Sequence, residues 1–338
     1  MSRPLVVIDA DALGRRRTGD ETYVERLLAA LPGAARDLRF AAITRDAELL
    51  PRGVEPIVVD MRVQELRMAA RLPLLLRRLR PALVHFTHAL PPLLPCPGVV
   101  TVQDVSFERD ATLMPARERT IFRMVVPWSV RRAAKVLAIS QRTKDDVVAE
   151  YGTDPAKIVV TPLGVDPDFS PGVGAAGEYL LLVGEITRRK NPLAAADAAH
   201  ELGMRLVSVG PERDEELTAE LRRRGVDVRG FVSKEELIAL YRSAACLLFP
   251  TRYEGFGLPV AEAMAAGTPV VATRDAAVVE VGGGAIVYAE PEEFAGAIRE
   301  VLADRDRWVS AALERAKHFT WGETARLTAQ VYREVLGL

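Results

Sequence analysis

The sequence contains little cysteine and no long apolar run. Its two cysteines, Cys96 and Cys246, lie far apart in a chain of 338 residues and outside any metal-ligand spacing. This argues against a disulfide scaffold or a structural zinc site and favours a reducing compartment. No stretch of 18 apolar residues occurs, and the run Leu5–Asp9 is too short for the hydrophobic part of a signal peptide. These absences predict a cytoplasmic protein.

The sequence also has no large excess of positive or negative charge. The net charge is −1, with 45 Lys and Arg against 46 Asp and Glu, which argues against a dedicated nucleic-acid binder. Apolar residues make up 49% of the chain and charged residues 27%. These are ordinary globular proportions and exclude intrinsic disorder. The length favours two domains, because a domain usually has roughly 100–200 residues.

The chain instead contains a regular alternation of β-rich runs and helical patterns. The apolar run Leu180–Val183 is typical of a strand that helices cover on both faces of a parallel sheet. Because the alternation fills both halves, it predicts an α/β protein with two doubly wound, Rossmann-like domains. The Pro- and Gly-rich segment 166–177 is the predicted linker between domains 1–165 and 178–318. Residues 319–338 are predicted to form a terminal helix that packs back on the N-terminal domain.

The predicted linker contains the spacing Gly172-x-Gly174-x-x-Gly177, which matches the dinucleotide-binding fingerprint. That fingerprint needs a strand before it and a helix after it, so that the pyrophosphate meets a helix N-terminus. Here Pro171 precedes the glycines and a predicted strand follows them. We therefore interpret the glycines as part of a flexible linker, and a dehydrogenase is disfavoured.

The segment Phe249–Val271 has the clearest chemical pattern. Pro259 suits the first turn of a helix and Gly267 suits the position after its end, so a helix is predicted over 258–266. This helix would start at the carboxyl end of a parallel strand, where open α/β sheets bind ligands. An anion site strengthened by the helix dipole is predicted at the backbone amides of Phe256, Gly257 and Leu258.

Two carboxylates, Glu254 and Glu262, flank this loop with seven residues between them. Glu262 is expected in the first turn of the predicted helix. One interpretation of Glu262 is a simple favourable interaction with the helix dipole. The other is a carboxylate that accepts hydrogen bonds from a vicinal diol, and the pairing with Glu254 around a phosphate-type loop favours this functional interpretation.

The motif Glu-x7-Glu within YEGFGLPVAEAMAAGTPVV, at residues 253–271, resembles the retaining family-4 glycosyltransferases of GT-B fold, in their mannosyltransferase-like branch. The likeness is dense over residues 157–336 and looser over 1–156, where its main traces are Thr18–Tyr23 and Ser140 with Tyr151-Gly152. The other matching segments are Leu182–Asn191, Phe231–Leu237 followed by Tyr241, Thr161–Asp166 and Phe319–Trp321.

The resemblance implies an N-terminal domain that binds the acceptor and a C-terminal domain that binds a nucleotide-sugar donor, facing each other across a cleft. It implies catalytic contacts from Glu254, His88 and Asp104. The donor-binding residues that it implies are Gly19, Arg189 and Lys190 for the diphosphate, Val232 for the base, Phe256, Gly257 and Leu258 through their backbone, and Glu262 for the ribose diol. Two cations and a helix N-terminus stabilise a leaving diphosphate without a metal, so neither a metal nor a cofactor is expected.

The sequence departs from the family pattern at two places. Gly184 is followed by Glu185 where many relatives have Arg, and Gln103-Asp104 stands where many have His-Asp. A neutral amide cannot act as a base, although it can orient a sugar hydroxyl. Two histidines lie nearby, and we interpret His85 as a core residue because of its apolar neighbours. His88, at the end of the same strand, is the preferred sugar contact.

We expect a retaining enzyme that transfers a hexose from a nucleoside-diphosphate sugar to a glycan or lipid-linked acceptor. Mannose from GDP-mannose is the first candidate, because the Arg-Lys-Asn and Phe-Gly-Leu-Pro patterns resemble the mannosyltransferase-like branch. The alternative is a non-catalytic sugar-nucleotide-binding protein of the same fold, suggested by Glu185 and Gln103. The presence of Glu254, Glu262, Arg189 and Lys190 favours the enzyme.

The segment 62–80 combines six arginines and one acid, Glu65, with apolar residues at helical spacing. One interpretation is a basic amphipathic helix that rests on an anionic membrane and presents a lipid-linked acceptor, placing the protein at the inner face of the membrane. The other is a core-packed helix with a solvated arginine face. Pro73 is expected to start or kink this helix.

Overall fold

A computed structural model describes residues 3–15, 18–61, 63–109, 116–172 and 177–338. The chain divides into two compact units. The first comprises Met1–Gly164 together with Thr320–Leu338, and the second comprises Val165–Phe319.

The first unit is built on a seven-stranded sheet in which neighbouring strands run parallel. In chain order its strands are β1 (Leu5–Asp9), β2 (Arg39–Thr44), β3 (Val54–Val58), β4 (Leu83–Thr87), β5 (Gly98–Val102), β6 (Lys135–Ala138) and β7 (Ile158–Val160). Their order across the sheet is β3-β2-β1-β4-β5-β6-β7. All five residues of β5 are buried, as expected for a central strand that helices cover on both faces.

The helices of the first unit are α1 (Thr18–Ala34), α2 (Gln64–Leu66), α3 (Leu72–Leu79), α4 (Ser106–Arg109), α5 (Ala116–Arg132), α6 (Gln141–Tyr151) and α14 (Trp321–Leu336). The Ser140 side chain caps α6 by accepting a hydrogen bond from the amide of Thr143, as the sequence indicates. The terminal helix α14 packs against α1 and belongs to this unit.

The predicted helix 62–80 is present over its described part. A π-helical segment, Arg67–Arg71, joins α2 to α3, and Pro73 lies in the first turn of α3 without ending the helical run. Leu72 and Leu76 face the core. Arg67 is also buried, at 1% exposure, and its guanidinium pairs with Asp9 at the end of β1. The expectation of a solvated arginine face is therefore wrong for Arg67, and Arg62 lies outside the described residues.

The second unit has a six-stranded sheet whose paired strands are also parallel. Its strands are β8 (Tyr179–Val183), β9 (Arg205–Val209), β10 (Asp227–Val228), β11 (Cys246–Phe249), β12 (Val270–Ala272) and β13 (Val287–Tyr288), in the order β10-β9-β8-β11-β12-β13. Its helices are α7 (Pro192–Leu202), α8 (Glu215–Arg223), α9 (Lys234–Ser243), α10 (Leu258–Ala266), α11 (Ala276–Gly282), α12 (Phe294–Ala303) and α13 (Arg305–Ala316).

Both units are thus doubly wound α/β sheets, and the predicted fold class is confirmed. The helices α4, α11, α12 and α13 were not predicted from the sequence. The segment 166–177 also differs from a free linker, because its described part belongs to the second unit. Lys234 pairs with Asp166 and Asp168, and Arg242 donates a hydrogen bond to the carbonyl of Ser170 at 2.6 Å. Gly174 lies outside the described residues.

Candidate active site

The loop that follows β11 leads into α10, whose bounds agree with the predicted helix 258–266. Gly257 has a φ of 98°, in the left-handed region that favours glycine, and among the described residues no side chain caps the helix. The ring of Phe256 is buried edge-to-face against Phe319, with 5.7 Å between centroids. The loop backbone is therefore fixed where the first amides of a helix meet the carboxyl edge of the sheet, an arrangement suited to an anion.

Glu254 lies in this loop and accepts hydrogen bonds from two elements. The Lys190 ammonium donates to Glu254 Oε1, and the Thr251 hydroxyl donates to the same oxygen at 2.8 Å. Arg189 Nη1 lies 3.4 Å from that oxygen. Burial opposes the charge of Glu254, but the two cations outweigh it and hold its pKa below the usual value.

Arg189 and Lys190 come from the loop between β8 and α7. Arg189 Nη1 donates to the carbonyl of Tyr253 at 2.7 Å, and Lys190 Nζ lies 5.0 Å from the ring centroid of Phe249. Burial, and to a smaller extent the neighbouring Arg189, lower the pKa of Lys190, although Glu254 opposes the shift. The structure thus brings three predicted site residues, Arg189, Lys190 and Glu254, into one charged cluster.

Glu262 lies in the second turn of α10, and its expected place in the first turn is wrong. The hydroxyl of Tyr241, on α9, donates to Glu262 Oε2 at 3.0 Å. Burial raises the pKa of Glu262 to about 7, opposed by the Tyr241 hydrogen bond and assisted by the negative charge of Asp166. Val232, the predicted base contact, is half-buried just before α9.

The predicted residues of the first unit lie near the carboxyl ends of β4 and β5. His88 has a left-handed backbone, with φ 63°, and its Nε2 lies 3.4 Å from Asp20 Oδ1. Gly19 is exposed in the first turn of α1, and a Cβ built on it would lie 3.7 Å from Gln103 Oε1. This distance is an ordinary contact, so nothing in the described part of this unit requires glycine at position 19.

Asp104 has a local structural partner. Its Oδ1 accepts hydrogen bonds from the amide and the hydroxyl of Ser106, at 2.9 and 2.7 Å, at the start of α4. The structure therefore gives Asp104 a local turn-forming role before α4, which the expectation of a catalytic contact did not include. The neighbouring Gln103 is buried, and among the described residues its side-chain nitrogen has no hydrogen-bond partner.

His85 is a core residue, as its apolar neighbours indicate. Its ring nitrogens are hydrogen-bonded to the Tyr332 hydroxyl at 2.6 Å and to the Thr101 hydroxyl at 2.7 Å. The Thr101 hydroxyl also pairs with that of Tyr23, at 2.8 Å. Burial lowers the pKa of His85 to about 3, so the ring is neutral.

Sequence reasoning missed two residues that touch the predicted carboxylates. Thr251 precedes Glu254 by three positions, and a hydroxyl so close in sequence to a predicted site carboxylate is a usable signal. Tyr241 is separated from Glu262 by 21 positions. Its contact depends on how α9 and α10 pack, which no local pattern contains. Among the described residues, no group of three or more His, Cys, Asp or Glu side chains could hold a metal ion.

Two family models match the chain. A model for "Glycosyltransferase Family 4" matches residues 17–169, and a model for "Glycosyl transferases group 1" matches residues 177–304. The chain belongs to the family-4 glycosyltransferases of GT-B fold. The predicted family is thereby confirmed.

The individual relatives have low sequence identity to the chain. The chain is 32% identical over 254 residues to a D-inositol 3-phosphate glycosyltransferase of Kineococcus radiotolerans, an alignment that covers 61% of this chain and 58% of the relative. It is 26% identical over 267 residues to the O-antigen chain mannosyltransferase B of Escherichia coli, with 70% of each chain covered. The first of these alignments spans less than two thirds of the relative's length.

A solved structure agrees with the fold over nearly the whole chain. The structure of Anabaena HepE in complex with UDP and glucose superimposes with a TM-score of 0.74, covering 99% of this chain and 100% of HepE at 16% sequence identity. At this identity the likeness shows the fold alone. No helix within the described part of this chain is long and apolar enough to cross a membrane.

Proposed function

We propose that the protein is a retaining, metal-independent glycosyltransferase that moves a hexose from a nucleoside-diphosphate sugar to a glycan or lipid-linked acceptor. The observation that carries this proposal is the cluster of Arg189, Lys190 and Glu254 beside the uncapped N-terminus of α10. Two cations and oriented backbone amides are the groups that stabilise the charge of a departing diphosphate.

We propose separate roles for the members of the charged cluster, Arg189, Lys190 and Glu254. Glu254 is the counter-ion of both cations, so an arriving diphosphate would compete with it for Lys190 and Arg189. Glu254 would then be available to accept hydrogen bonds from hydroxyls of the transferred sugar. Phe256, Gly257 and Leu258 would contact the phosphate and sugar through their backbone.

The nucleoside is proposed to lie between α9 and α10. Glu262 would accept hydrogen bonds from the ribose hydroxyls, and Val232 would contact the base. In the first unit, His88 would contact the sugar and Gly19 would lie near the diphosphate. The leaving diphosphate itself would help accept the acceptor's proton, as the family resemblance implies, so that a neutral Gln103 is compatible with turnover.

The donor is proposed to be GDP-mannose. Support comes from the names of relatives such as the O-antigen chain mannosyltransferase B and from the residue patterns that resemble the mannosyltransferase-like branch. The HepE structure, which contains UDP and glucose, makes UDP-glucose the first competitor. The acceptor is proposed to be bound by the first unit.

A thermal-shift screen of GDP, UDP, ADP and their sugars tests the donor assignment. A ligand at 100 times its Kd stabilises the folded protein by about 2.7 kcal/mol, so the true nucleotide stands out. GDP and GDP-mannose are expected to give the largest shifts. A larger shift with UDP-glucose would contradict the mannose assignment, and no shift with any nucleotide would contradict the enzyme itself.

A non-catalytic sugar-nucleotide-binding protein is the second candidate. Two observations favour it, the neutral Gln103 at the end of β5 and the pairing of Glu185 with Arg213 at 3.2 Å where many relatives have a cation. It predicts the same thermal shifts without sugar transfer. The nucleotide sugar that gives a thermal shift is then incubated with candidate glycan acceptors or with water alone. Release of nucleoside diphosphate indicates the enzyme, and no release indicates the binding protein.

We also propose that residues 62–80 rest on an anionic membrane at the cytoplasmic face. Leu66 and Leu74 are 57% and 61% exposed on the outer side of the helical run, while the opposite side packs into the core. The exposed arginines of this surface are Arg71, Arg77, Arg78 and Arg80. Exposed apolar side chains among arginines suit the boundary between anionic headgroups and acyl chains.

A further inference from the structure

Tyr241 on α9 and Glu262 on α10 are joined by a hydrogen bond between their side chains. Tyr241 is fully buried, and its hydroxyl donates to Glu262 Oε2 at 3.0 Å. Glu262 itself remains partly accessible on α10. A buried side chain therefore holds one oxygen of a carboxylate that solvent or a ligand can reach.

Tyr241 is itself fixed by neighbours on two sides. The Thr268 hydroxyl donates to the Tyr241 backbone carbonyl at 2.6 Å, which ties α9 to the second residue after the end of α10. The Phe169 ring packs edge-to-face against the Tyr241 ring, with 5.7 Å between centroids. The phenol hydroxyl consequently has little freedom to move away from Glu262.

A carboxylate can accept about four hydrogen bonds, two on each oxygen. A vicinal diol needs two acceptor positions in a fixed relative orientation, and a freely rotating carboxylate would lose rotational freedom when it binds one. A donor that fixes Oε2 removes that cost before the ligand arrives, which raises affinity by preorganisation. The Tyr241 hydroxyl occupies one acceptor position, and no other side chain in the described part of the chain hydrogen-bonds to the Glu262 carboxylate.

We propose that Tyr241 is a positioning residue that orients the Glu262 carboxylate to receive both hydroxyls of the nucleotide ribose. Tyr241 does not touch the nucleotide in this arrangement and acts only through Glu262. This inference rests on the proposed function, in which Glu262 binds the ribose. It adds a residue that determines how strongly the protein prefers ribonucleotides over 2′-deoxyribonucleotides.

The test compares GDP and UDP with dGDP and dUDP by isothermal titration on the full-length protein. Wild-type protein is expected to bind the ribonucleotide about tenfold or more tightly than its 2′-deoxy form, since one charged hydrogen bond is lost. In Tyr241→Phe the ratio is expected to fall at least threefold while the deoxynucleotide affinity stays within about twofold. The control is Tyr179→Phe, which removes a hydroxyl that donates to the Leu240 carbonyl at 2.7 Å, and its ratio is expected to stay at the wild-type value.

The possible results separate this inference from the proposed function. A wild-type ratio in Tyr241→Phe overturns the positioning role, as does an equal loss of both nucleotides. No discrimination in the wild-type protein overturns the ribose assignment of Glu262, and the inference with it. If Tyr241→Phe does not fold, Phe169→Leu loosens the same tyrosine and is expected to lower the ratio, so that an unchanged ratio there overturns the inference.

Discussion

Lys190 donates a hydrogen bond to Glu254 although the two residues are 64 positions apart and lie on loops after different strands. The pair joins the loop after β8 to the loop after β11, which are adjacent strands of the second sheet. Each member moves the other's pKa toward the charged state. The cluster is therefore an ion pair before any ligand binds, and the two carboxylates of the Glu-x7-Glu motif have different surroundings.

Glu254→Ala is expected to lower the rate of sugar transfer by roughly 10- to 150-fold, the value of one charged hydrogen bond of about 1.5–3 kcal/mol. Nucleoside diphosphate affinity is expected to be kept or increased, because Lys190 and Arg189 lose their counter-ion. Glu262→Ala is expected to lower nucleotide affinity by a similar factor. Transfer kinetics and titration calorimetry on both variants measure the difference, and equal losses of nucleotide affinity would contradict the separate roles.

The pKa of Glu262 predicts a pH dependence of nucleotide binding. Because burial raises this pKa to about 7, lowering the pH through 7 protonates the carboxyl and removes an acceptor for the ribose diol. Affinity for the nucleoside diphosphate is expected to fall by up to about tenfold per pH unit below pH 7. The diphosphate titrates in the same range, so the matched control is Glu262→Gln, in which only the ligand's dependence remains. Identical pH profiles for the two proteins would contradict this prediction.

His85 predicts a loss of stability in acid. The folded state lowers the pKa of His85 to about 3, whereas an unfolded chain protonates histidine near pH 6.5. The unfolded state therefore binds one more proton between these values, and the free energy of unfolding falls as the pH drops below about 6.5, by up to about 1.4 kcal/mol per unit.

Urea unfolding at several pH values between 4 and 7 measures how the free energy of unfolding changes with pH. His85→Gln is expected to be less stable than wild type at pH 7 but to have a shallower slope with pH. The exposed His200 offers the control, and His200→Gln is expected to keep the wild-type slope. An unchanged slope in His85→Gln would mean that burial does not hold the His85 ring neutral in the folded state.

The sequence predicts α10 accurately because its start and end signals, Pro259 and Gly267, are local. It also predicts the central strands, whose apolar runs are continuous. The helix α12 was missed although Phe294, Ile298 and Val301 repeat at helical spacing on its buried side, a signal that was available. Contacts between residues far apart in the sequence could not be predicted, because they depend on which strands become neighbours in the sheet.

Arg67 illustrates the same limit in the first unit. Among the five described arginines of the segment 62–80, Arg67 is buried, and nothing local in the sequence distinguishes it from the exposed ones. Its burial depends on Asp9, 58 positions earlier, which supplies the counter-charge at the end of β1. Asp104 is the opposite case. Its hydrogen bonds to Ser106 are local, and an aspartate whose side chain accepts from the amide two residues on could have been recognised as a turn former.

Donor binding is expected to survive EDTA, because Arg189, Lys190 and the N-terminus of α10 would supply the positive charge for the diphosphate. Titration of the nucleoside diphosphate before and after chelation measures this, together with the transfer rate. Activity that disappears with EDTA and returns with Mn²⁺ would show that the assignment of the phosphate site is wrong. Lys190→Met keeps most of the side-chain volume without its charge and is expected to weaken diphosphate binding whether or not chelator is present.

The arginines of the segment 62–80 predict a salt-sensitive association with anionic membranes. Each arginine near an anionic surface contributes about 1 kcal/mol, so the triple variant R71Q/R77Q/R78Q is expected to bind anionic vesicles roughly 100-fold more weakly. Salt should weaken wild-type binding because it screens the same charges. Sedimentation with phosphatidylglycerol-containing and purely phosphatidylcholine vesicles measures both effects.

A matched control distinguishes the effect of the arginines in the segment 62–80 from the effect of the protein's total charge. Arg205, Arg299 and Arg307 are exposed arginines of the second unit, and their replacement by glutamine changes the net charge by the same amount. These variants are expected to sediment like the wild type. Equal losses in the two triple variants would mean that net charge alone drives association. Equal sedimentation of the wild type with neutral and anionic vesicles, or none with either, would leave the helical run as a core-packed element with exposed arginines, and the acceptor would then have to reach the enzyme by diffusion.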